Sequence, residues 1–277
     1  MHEVRIDPLS GLRAIVATDP EQPAGEAPLL SSDASAPAPD AQPGLYTALA
    51  AGRAHELIAN GPPAAASLTE LTVGQLQDAV ELWRERMRAH DGAAYVHVCV
   101  DEPPAAGTAP AGSHAQLYAL DFVPAAVARE RERFSAHAVR TMGANLLEDL
   151  VQEEVRRRER IVAIDDEAVL FCPYASRGPY ALMLVPRRPR ARFEHDGPSG
   201  AALLHDGLAR LARHFGERPP LSLWVRTAPR DAERFCWRID ILPRLTPASG
   251  LELGAGLHRT DVAPELAAAQ LRAARPG

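Results

Sequence analysis

The sequence predicts an α+β protein built from two similar halves, each with an antiparallel sheet flanked by helices. The order strand, strand, helix, strand can be read in both halves, which indicates an internal duplication. The chain has 277 residues, of which 46% are hydrophobic, so each half is long enough to bury a core. We place the boundary between the halves at residues 148 and 149.

In the first half, periodicity predicts two helices and several strands. The clearest helix covers residues 67–90, where four apolar side chains share one face: Leu76, Val80, Trp83 and Met87. A second, charge-dense helix is predicted over about 125–158. Strands are predicted at 55–62 (HELIANGP, closed by a turn), 93–100 (AAYVHVCV) and 115–123 (AQLYALDFV). Residues 19–43 are rich in Pro, Ala and Ser and predict a mobile loop or extended arm.

The second half repeats this plan. Strands are predicted at RIVAIDD, AVLFCPY and YALMLVPR, then a helix near 199–215, then strands at LSLWVRTAP and FCWRIDILPR. A short helix, APELAAAQLRAA, is predicted at the C-terminal end.

Composition and charge exclude several classes of protein. The net charge is −6, whereas nucleic-acid-binding domains are normally basic, so we expect no DNA or RNA partner. No apolar run reaches the roughly 20 residues that span a bilayer, and the N-terminus is too polar for a signal peptide. We therefore expect a cytoplasmic protein with no membrane partner.

Cysteine and lysine usage narrows the chemistry further. Cys99, Cys172 and Cys236 lie far apart and form no CxxC pair, which favours buried thiols over disulfides or a zinc knuckle. Every basic residue is arginine, which excludes lysine Schiff-base chemistry and a P-loop lysine.

The stretch GTAPAGSHAQLYALDFVP, residues 107–124, contains the main candidate for catalysis. His114 stands among small residues, and Gln116 follows it two positions later, just before an apolar strand. A neutral imidazole is able to attack phosphorus, and a glutamine amide is able to donate to a charged phosphate oxygen. From these residues alone, His114 is either a nucleophile or an ordinary histidine at the start of a strand.

Several segments together resemble the galactose-1-phosphate uridylyltransferase branch of the histidine-triad superfamily, from one end of the chain to the other. VRIDPLSG is similar to the family's Arg-x-Asp-Pro-Leu-Thr-Gly, and HELIANGP to its His-Glu-Val-Ile-Val-Glu-Thr-Pro. LWRERMRA, CPYASRGPYALMLVPRR and RIDILPRLTPASGLELGAGL follow in the family's order, and the last is the most specific. The resemblance implies two histidine-triad-like halves with half-barrel sheets, the active-site histidine lying in residues 1–148 and the second half being residues 149–277.

The family's active-site motif is His-Pro-His-x-Gln, in which the second histidine is the nucleophile. Laid on this chain without a gap, the motif gives His114 as nucleophile and Gln116 as phosphate donor, while Gly112 and Ser113 replace the first His-Pro. The resemblance also carries nucleotide or phosphate binding to four positions, namely Asp101, Gly107, Ser113 and Gln116. The family's asparagine at the first of these is an aspartate here, and its active-site serine is Ala109.

The resemblance implies a nucleotidyltransferase. A nucleoside monophosphate would pass from a nucleoside diphosphate sugar to a sugar 1-phosphate through a nucleotidyl-histidine, a double displacement. Two alternatives remain open at this point. One is a phosphorylase or hydrolase that uses the same histidine, and the other is a non-catalytic nucleotide-binding protein that keeps the fold.

Metal ligands of the family are missing here. Metal-bearing members use an early cysteine pair with motif histidines, and a second site on a His-x-His strand in the C-terminal half. This chain lacks the early cysteines, has Gly112 in the motif and reads Cys236, Trp237, Arg238 on the strand. Since a tetrahedral site needs about four ligands, we expect no metal and no other cofactor.

Two further expectations rest on the resemblance. Glu252, in SGLELG, matches a family glutamate that accepts hydrogen bonds from hexose hydroxyls, although from its position alone it is equally a surface residue. The family also implies a homodimer whose sites involve both chains.

Overall fold

The computed structural model defines an α+β fold whose centre is a large antiparallel sheet. The residues it describes are 2–6, 13–17, 47–50, 53–103, 112–195, 197 and 199–274. The predicted arm at 19–43 lies outside this part of the chain. Among the described residues, no helix is long and apolar enough to cross a membrane.

A small antiparallel sheet precedes the large one. It contains β1 (His2–Ile6), β2 (Arg13–Ala17) and β3 (Thr47–Ala50), in the order β2-β1-β3.

The large sheet joins the two predicted halves in one continuous layer. Its strands are β4 (Ala54–Ala59), β5 (Tyr95–Glu102), β6 (His114–Leu120), β7 (Ile161–Ile164), β8 (Ala168–Phe171), β9 (Leu182–Pro186), β10 (Leu221–Arg226) and β11 (Arg238–Pro243). Within the described ranges the order is β4-β6-β5-β10-β11-β9-β8-β7, with every pair antiparallel. The halves meet where β5 pairs with β10. The division at 148/149 falls inside a helix and remains a prediction.

Six α-helices are described around these sheets. They are α1 (Val73–Ala89), α2 (Ala125–Arg140), α3 (Leu146–Arg157), α4 (Ala201–Phe215), α5 (Gly250–Ala255) and α6 (Pro264–Ala273), and a 3₁₀ turn at Leu68–Glu70 precedes α1. The helix predicted over 67–90 is confirmed. Thr72 caps α1 in a capping box with Gln75, and the four apolar residues predicted to share a face are all buried.

The single helix predicted over 125–158 is wrong, because the chain forms two helices there. Met142 and Gly143 both have positive φ, at 57° and 114°, which ends α2. Asn145 then accepts hydrogen bonds from the backbone of Leu147 and Glu148 and starts α3. The short helix α5 was not predicted.

One face of the large sheet carries the main hydrophobic core. Along β6, Ala115, Leu117 and Ala119 are fully buried on this face. They belong to a cluster that includes Trp83 of α1 and Leu208 of α4. Because strand side chains alternate, the residues between them on β6 face the opposite side.

The opposite face is apolar at one end of the sheet and polar at the other. Helices α2 and α3 cover the β7–β9 end, where the tilted rings of Phe134 and Phe235 pack with centroids 4.7 Å apart. Toward β4, the cross-strand pairs form one row of side chains: Asp240, Trp224, Cys99, Gln116 and Leu57. The polar end of this face carries the candidate site.

The edge strand β4 is tied to α1 by an ion pair. Arg86 donates two hydrogen bonds to Glu56, at 2.8 and 2.7 Å, and His90 lies 2.6 Å from the same carboxylate. The hydrogen bonds from Arg86 and, to a smaller extent, His90 lower the pKa of Glu56 to about 2. The edge of the sheet that flanks β6 is therefore fixed to the helix behind it.

Candidate active site

His114 is the first residue of β6 and lies on the polar face. Its ring Nδ1 is 3.0 Å from the carbonyl oxygen of Gly112. Because a carbonyl only accepts, a neutral ring carries its proton on Nδ1 and its lone pair on Nε2. The backbone turn that allows this contact has a φ of +97° at Gly112, which favours glycine. This tautomer suits a nucleophile.

Gln116 lies two residues along β6 and therefore on the same face as His114. Its Oε1 accepts a hydrogen bond of 2.6 Å from the hydroxyl of Tyr118. Both Gln116 and His114 are partly exposed, so a ligand on this face is able to reach them.

Ser113 is tied into a buried hydrogen-bond network behind His114. Its hydroxyl donates to Glu102 Oε1 at 2.7 Å and accepts from Asn60 Nδ2 at 2.8 Å. Asn60 in turn accepts from Trp83 Nε1 at 2.9 Å, and the backbone N–H of Ser113 donates to the carbonyl of Ala65 at 2.8 Å. The hydroxyl predicted to bind phosphate is thus engaged within the protein, while the residue itself anchors the turn before His114.

Glu102 collects three donors at the end of β5. Besides Ser113, it accepts from Ser67 Oγ at 2.6 Å and from the backbone N–H of Leu68 at 2.8 Å. Glu102 is only 5% exposed, so these hydrogen bonds satisfy a buried carboxylate. The network joins β4, β5, the 3₁₀ turn and the start of β6.

Asp101 lies at the same end of the sheet as His114. It is two residues beyond Cys99, the cross-strand partner of Gln116, and it accepts a short hydrogen bond from Ser222 of β10. The structure thus brings Asp101, His114 and Gln116 to one end of one face. Gly107 lies outside the described residues.

Cys99 is a weaker candidate nucleophile than His114. Burial, and to a smaller extent Asp101, raises the pKa of the Cys99 thiol to about 12, so it stays protonated near neutral pH. Cys172 and Cys236 are buried, and all three cysteines are free, as predicted.

Glu252 lies on the short helix α5, whereas the other described candidates lie on or next to strands of the large sheet. Its carboxylate accepts hydrogen bonds from the backbone and hydroxyl of Ser249 in a capping box. The Ser249 hydroxyl, followed by its backbone N–H, lowers the pKa of Glu252 to about 2. Its carboxylate therefore caps its own helix in this structure.

An ion-pair cluster lies on the strand where the resemblance places a metal site of its metal-bearing members. Arg238 donates two hydrogen bonds to Glu130 of α2, at 3.0 and 2.9 Å, and two to Asp240, both at 3.0 Å. Burial opposes the charge of Arg238, but Asp240 and Glu130 outweigh it and raise the pKa of the guanidinium. Arg238 thus occupies both carboxylates with hydrogen bonds. In the described part of the chain, no three His, Cys, Asp or Glu side chains are grouped to hold one.

No sequence pattern points directly to the contacts of Tyr118, Asn60 or Glu102. Their contacts depend on strand pairing, since Asn60 and Ser113 are 53 residues apart in sequence. Only the spacing of Gln116 and Tyr118, two apart on a strand, could have indicated that they share a face.

Curated relatives of this chain are enzymes. Galactose-1-phosphate uridylyltransferase from Haemophilus influenzae is 26% identical over 260 residues, covering 88% of this chain and 73% of the relative. ADP-glucose phosphorylase from Arabidopsis thaliana is 22% identical over 230 residues, covering 79% of this chain. This match spans 64% of the phosphorylase, just under two thirds of its length. No protein-family model matches the chain.

Solved structures share the fold. A uridylyltransferase structure matches with a TM-score of 0.83 and 23% identity, covering 98% of both chains. An ADP-glucose phosphorylase from Arabidopsis thaliana with bound ADP-glucose matches with a TM-score of 0.69 and 20% identity, covering 79% of this chain and 72% of that one.

The antiparallel sheet with its flanking helices is the fold of these uridylyltransferase and phosphorylase structures. The curated and structural matches agree with each other. The chain is similar in sequence to galactose-1-phosphate uridylyltransferase and ADP-glucose phosphorylase, and it shares its fold with solved structures of both kinds of protein.

Proposed function

We propose that this protein is a nucleotidyltransferase that moves a nucleoside monophosphate from a nucleoside diphosphate sugar to a sugar 1-phosphate. The observation that carries the proposal is the hydrogen bond from His114 Nδ1 to the Gly112 carbonyl, which leaves the lone pair on Nε2. Gln116 supplies an amide on the same face, two residues further along β6.

In the first step, His114 Nε2 attacks the α-phosphorus of the nucleotide sugar. The bond from that phosphorus to the bridging oxygen breaks, and the sugar 1-phosphate leaves with the bonding electrons. The ring gains positive charge as Nε2 bonds to phosphorus, and the Gly112 carbonyl that accepts from Nδ1–H stabilises it. Donation from Gln116 to a non-bridging oxygen stabilises the negative charge at phosphorus.

In the second step, a phosphate oxygen of the acceptor attacks the nucleotidyl-histidine. The P–N bond breaks, the electron pair returns to Nε2, and neutral His114 is regenerated. The histidine thus splits one displacement into two easier ones and no external proton source is needed.

The remaining site assignments belong to the same proposal. Asp101 and Gly107 contact the nucleotide, Ser113 supports phosphate binding by anchoring the turn before His114, and Glu252 accepts hydrogen bonds from the sugar. Glu252 would have to exchange its capping contacts with Ser249 for sugar hydroxyls.

A phosphorylase is the second candidate, favoured by the match to the Arabidopsis thaliana ADP-glucose phosphorylase. The first step is unchanged, and inorganic phosphate replaces the sugar phosphate as the attacking acceptor. The two candidates therefore share the nucleotidyl-histidine and differ only in what accepts the nucleotide.

Intact-mass spectrometry tests the shared step. The protein is incubated with a panel of nucleoside diphosphate sugars that includes ADP-glucose, at neutral pH because P–N bonds hydrolyse in acid. We expect a nucleotidyl adduct, which an added sugar 1-phosphate discharges to a new nucleotide sugar. Discharge by inorganic phosphate alone would identify a phosphorylase, and discharge by water alone a hydrolase. Binding without any adduct would leave a non-catalytic nucleotide-binding protein.

Replacing the proposed nucleophile should abolish the reaction. His114→Asn should remove both adduct and turnover, while Gln116→Ala should slow adduct formation by roughly 10²-fold, since one donor to the developing charge is lost. Both side chains are partly exposed, so the melting temperature should change little in either variant. His258→Asn, at an exposed position, is the control. Full turnover by His114→Asn would contradict the mechanism.

We also propose that the protein is a cytoplasmic homodimer whose sites involve both chains. The proposal is supported by the family resemblance, and sedimentation at several protein concentrations tests the dimer. A monomer at all concentrations would contradict it.

A further inference from the structure

The two ends of the Gln116 amide have opposite chemistry. Only the Nε2 end donates, and only the Oε1 end accepts. A glutamine that turned its oxygen toward a phosphate would repel it. The reaction therefore depends on which way this partly exposed side chain points, and something must set its orientation.

The hydroxyl of Tyr118 holds the oxygen end. It donates to Gln116 Oε1 over 2.6 Å. Burial raises the pKa of the Tyr118 hydroxyl, so it keeps the proton that it donates. In the structure the phenol uses this proton to hold the amide oxygen, which leaves the amide nitrogen free to point elsewhere.

The neighbouring strands fix Tyr118 itself. His55 is its cross-strand partner on β4, and the two rings stack with centroids 4.5 Å apart and planes 13° from parallel. On the other side, His97 of β5 is its partner. His55 also interacts with the side chain of Gln116, as burial lowers the pKa of His55 and a hydrogen bond with that amide opposes the shift. The tyrosine is thus held on both sides within the sheet.

The strand geometry converts this contact into a direction. His114, Gln116 and Tyr118 are at successive alternate positions of β6, so each is about 7 Å from the next and Gln116 lies between the other two. An amide whose oxygen points along the strand toward Tyr118 turns its nitrogen away, toward His114.

We propose that Tyr118 is a positioning residue, which orients Gln116 so that its amide nitrogen faces the phosphate attacked by His114. This inference rests on the function proposed above. Tyr118 does not itself contact the reacting atoms.

Removing one hydroxyl tests the inference. Tyr118→Phe keeps the ring that stacks on His55, so the fold should persist, and we expect adduct formation to slow by on the order of threefold to tenfold. The chain offers a matched control in Tyr180, whose hydroxyl donates to Gln270 Oε1 at 2.7 Å. Tyr180→Phe loses the same kind of bond near the C-terminal helix and should leave the rate unchanged.

A double-mutant cycle separates positioning of Gln116 from a general effect on the sheet. The rate of adduct formation is measured by rapid quench with ADP-glucose, or with whichever nucleotide sugar of the panel reacts. If Tyr118 acts through Gln116, then Tyr118→Phe has no further effect when Gln116 is already alanine. If Tyr118→Phe slowed the wild-type protein and the Gln116→Ala variant by the same factor, the inference would be overturned. A wild-type rate in Tyr118→Phe alone would also overturn it.

The outcomes also separate this inference from the proposed function. An absent adduct in the wild-type protein, or an unaffected rate in Gln116→Ala, overturns both. An adduct that depends on His114 and Gln116, together with additive effects in the cycle, overturns only the role of Tyr118.

Discussion

At the scale of single residues, the site consists of groups that sequence reading locates and groups that only the folded chain reveals. His114 and Gln116 stand out because small residues surround them and an apolar strand follows. Tyr118 and the network of Asn60, Ser113 and Glu102 do not, since their roles come from partners on other strands. Local spacing identifies a pair on one strand, whereas it carries no information about distant partners.

The buried hydroxyl of Ser113 leads to a prediction about stability. Ser113→Ala leaves both Asn60 Nδ2 and Glu102 Oε1 one partner short in a buried place, so the free energy of unfolding should fall by about 1–3 kcal/mol. Affinity for the nucleotide sugar should change little, because the hydroxyl faces the protein and the backbone hydrogen bond from Ser113 to Ala65 still anchors the turn. Denaturant titration and calorimetry measure the two quantities.

Ser176→Ala is the control, because that hydroxyl makes one hydrogen bond, to the carbonyl of Pro173 at 2.9 Å. It should cost less stability than Ser113→Ala. Lost affinity with unchanged stability in Ser113→Ala would show that the hydroxyl binds the ligand directly.

At the scale of elements, apolar periodicity predicted most strands and helices, and the misses occur where capping decides the outcome. The charge-dense stretch after residue 125 reads as one continuous helix. The positive φ of Gly143 nevertheless helps to end one helix, and the Asn145 side chain caps the start of the next. The helix α5 is only six residues long, and its signal was the Ser249-x-x-Glu252 spacing of a capping box. In both places, short-range backbone geometry outweighs periodicity.

Two glycines provide a paired prediction at this scale. A Cβ added at either Gly143 or Gly74 meets no atom within 4 Å, so packing plays no part in the comparison. Gly143 has a φ of +114°, and Gly143→Ala should lower the free energy of unfolding by about 1 kcal/mol or more. Gly74 lies within α1, and Gly74→Ala should raise it by up to about 1 kcal/mol.

Chemical denaturation of the two variants beside the wild type measures both changes. Shifts of the same sign would contradict this account, because the two substitutions differ only in the backbone conformation that they meet.

At the scale of the whole molecule, the α+β class and the antiparallel arrangement were predictable, whereas the joining of both halves in one sheet was not. The repeated order of elements indicates two sheets or one equally well. Only the pairing of β5 with β10 distinguishes them, and it joins residues more than 100 positions apart, such as Val98 and Val225. Such pairing depends on tertiary packing and leaves no local pattern.

A prediction for the whole molecule concerns its metal content. Purified protein should contain substoichiometric zinc and iron and should keep its melting temperature in a chelator, because Arg238 already pairs with the carboxylates of Glu130 and Asp240. Elemental analysis and a thermal melt with and without chelator check this. About one tightly held zinc per chain would contradict it.

The alternation of side chains along β6 restricts how this protein is able to diverge. Deleting one residue inside the strand would exchange its two faces, moving Ala115 and Leu117 to the reactive side and placing polar groups against Trp83 and its neighbours. Stability and chemistry would be lost together. Homologous chains should therefore vary in this segment by replacement at alternate positions, and its length should be invariant.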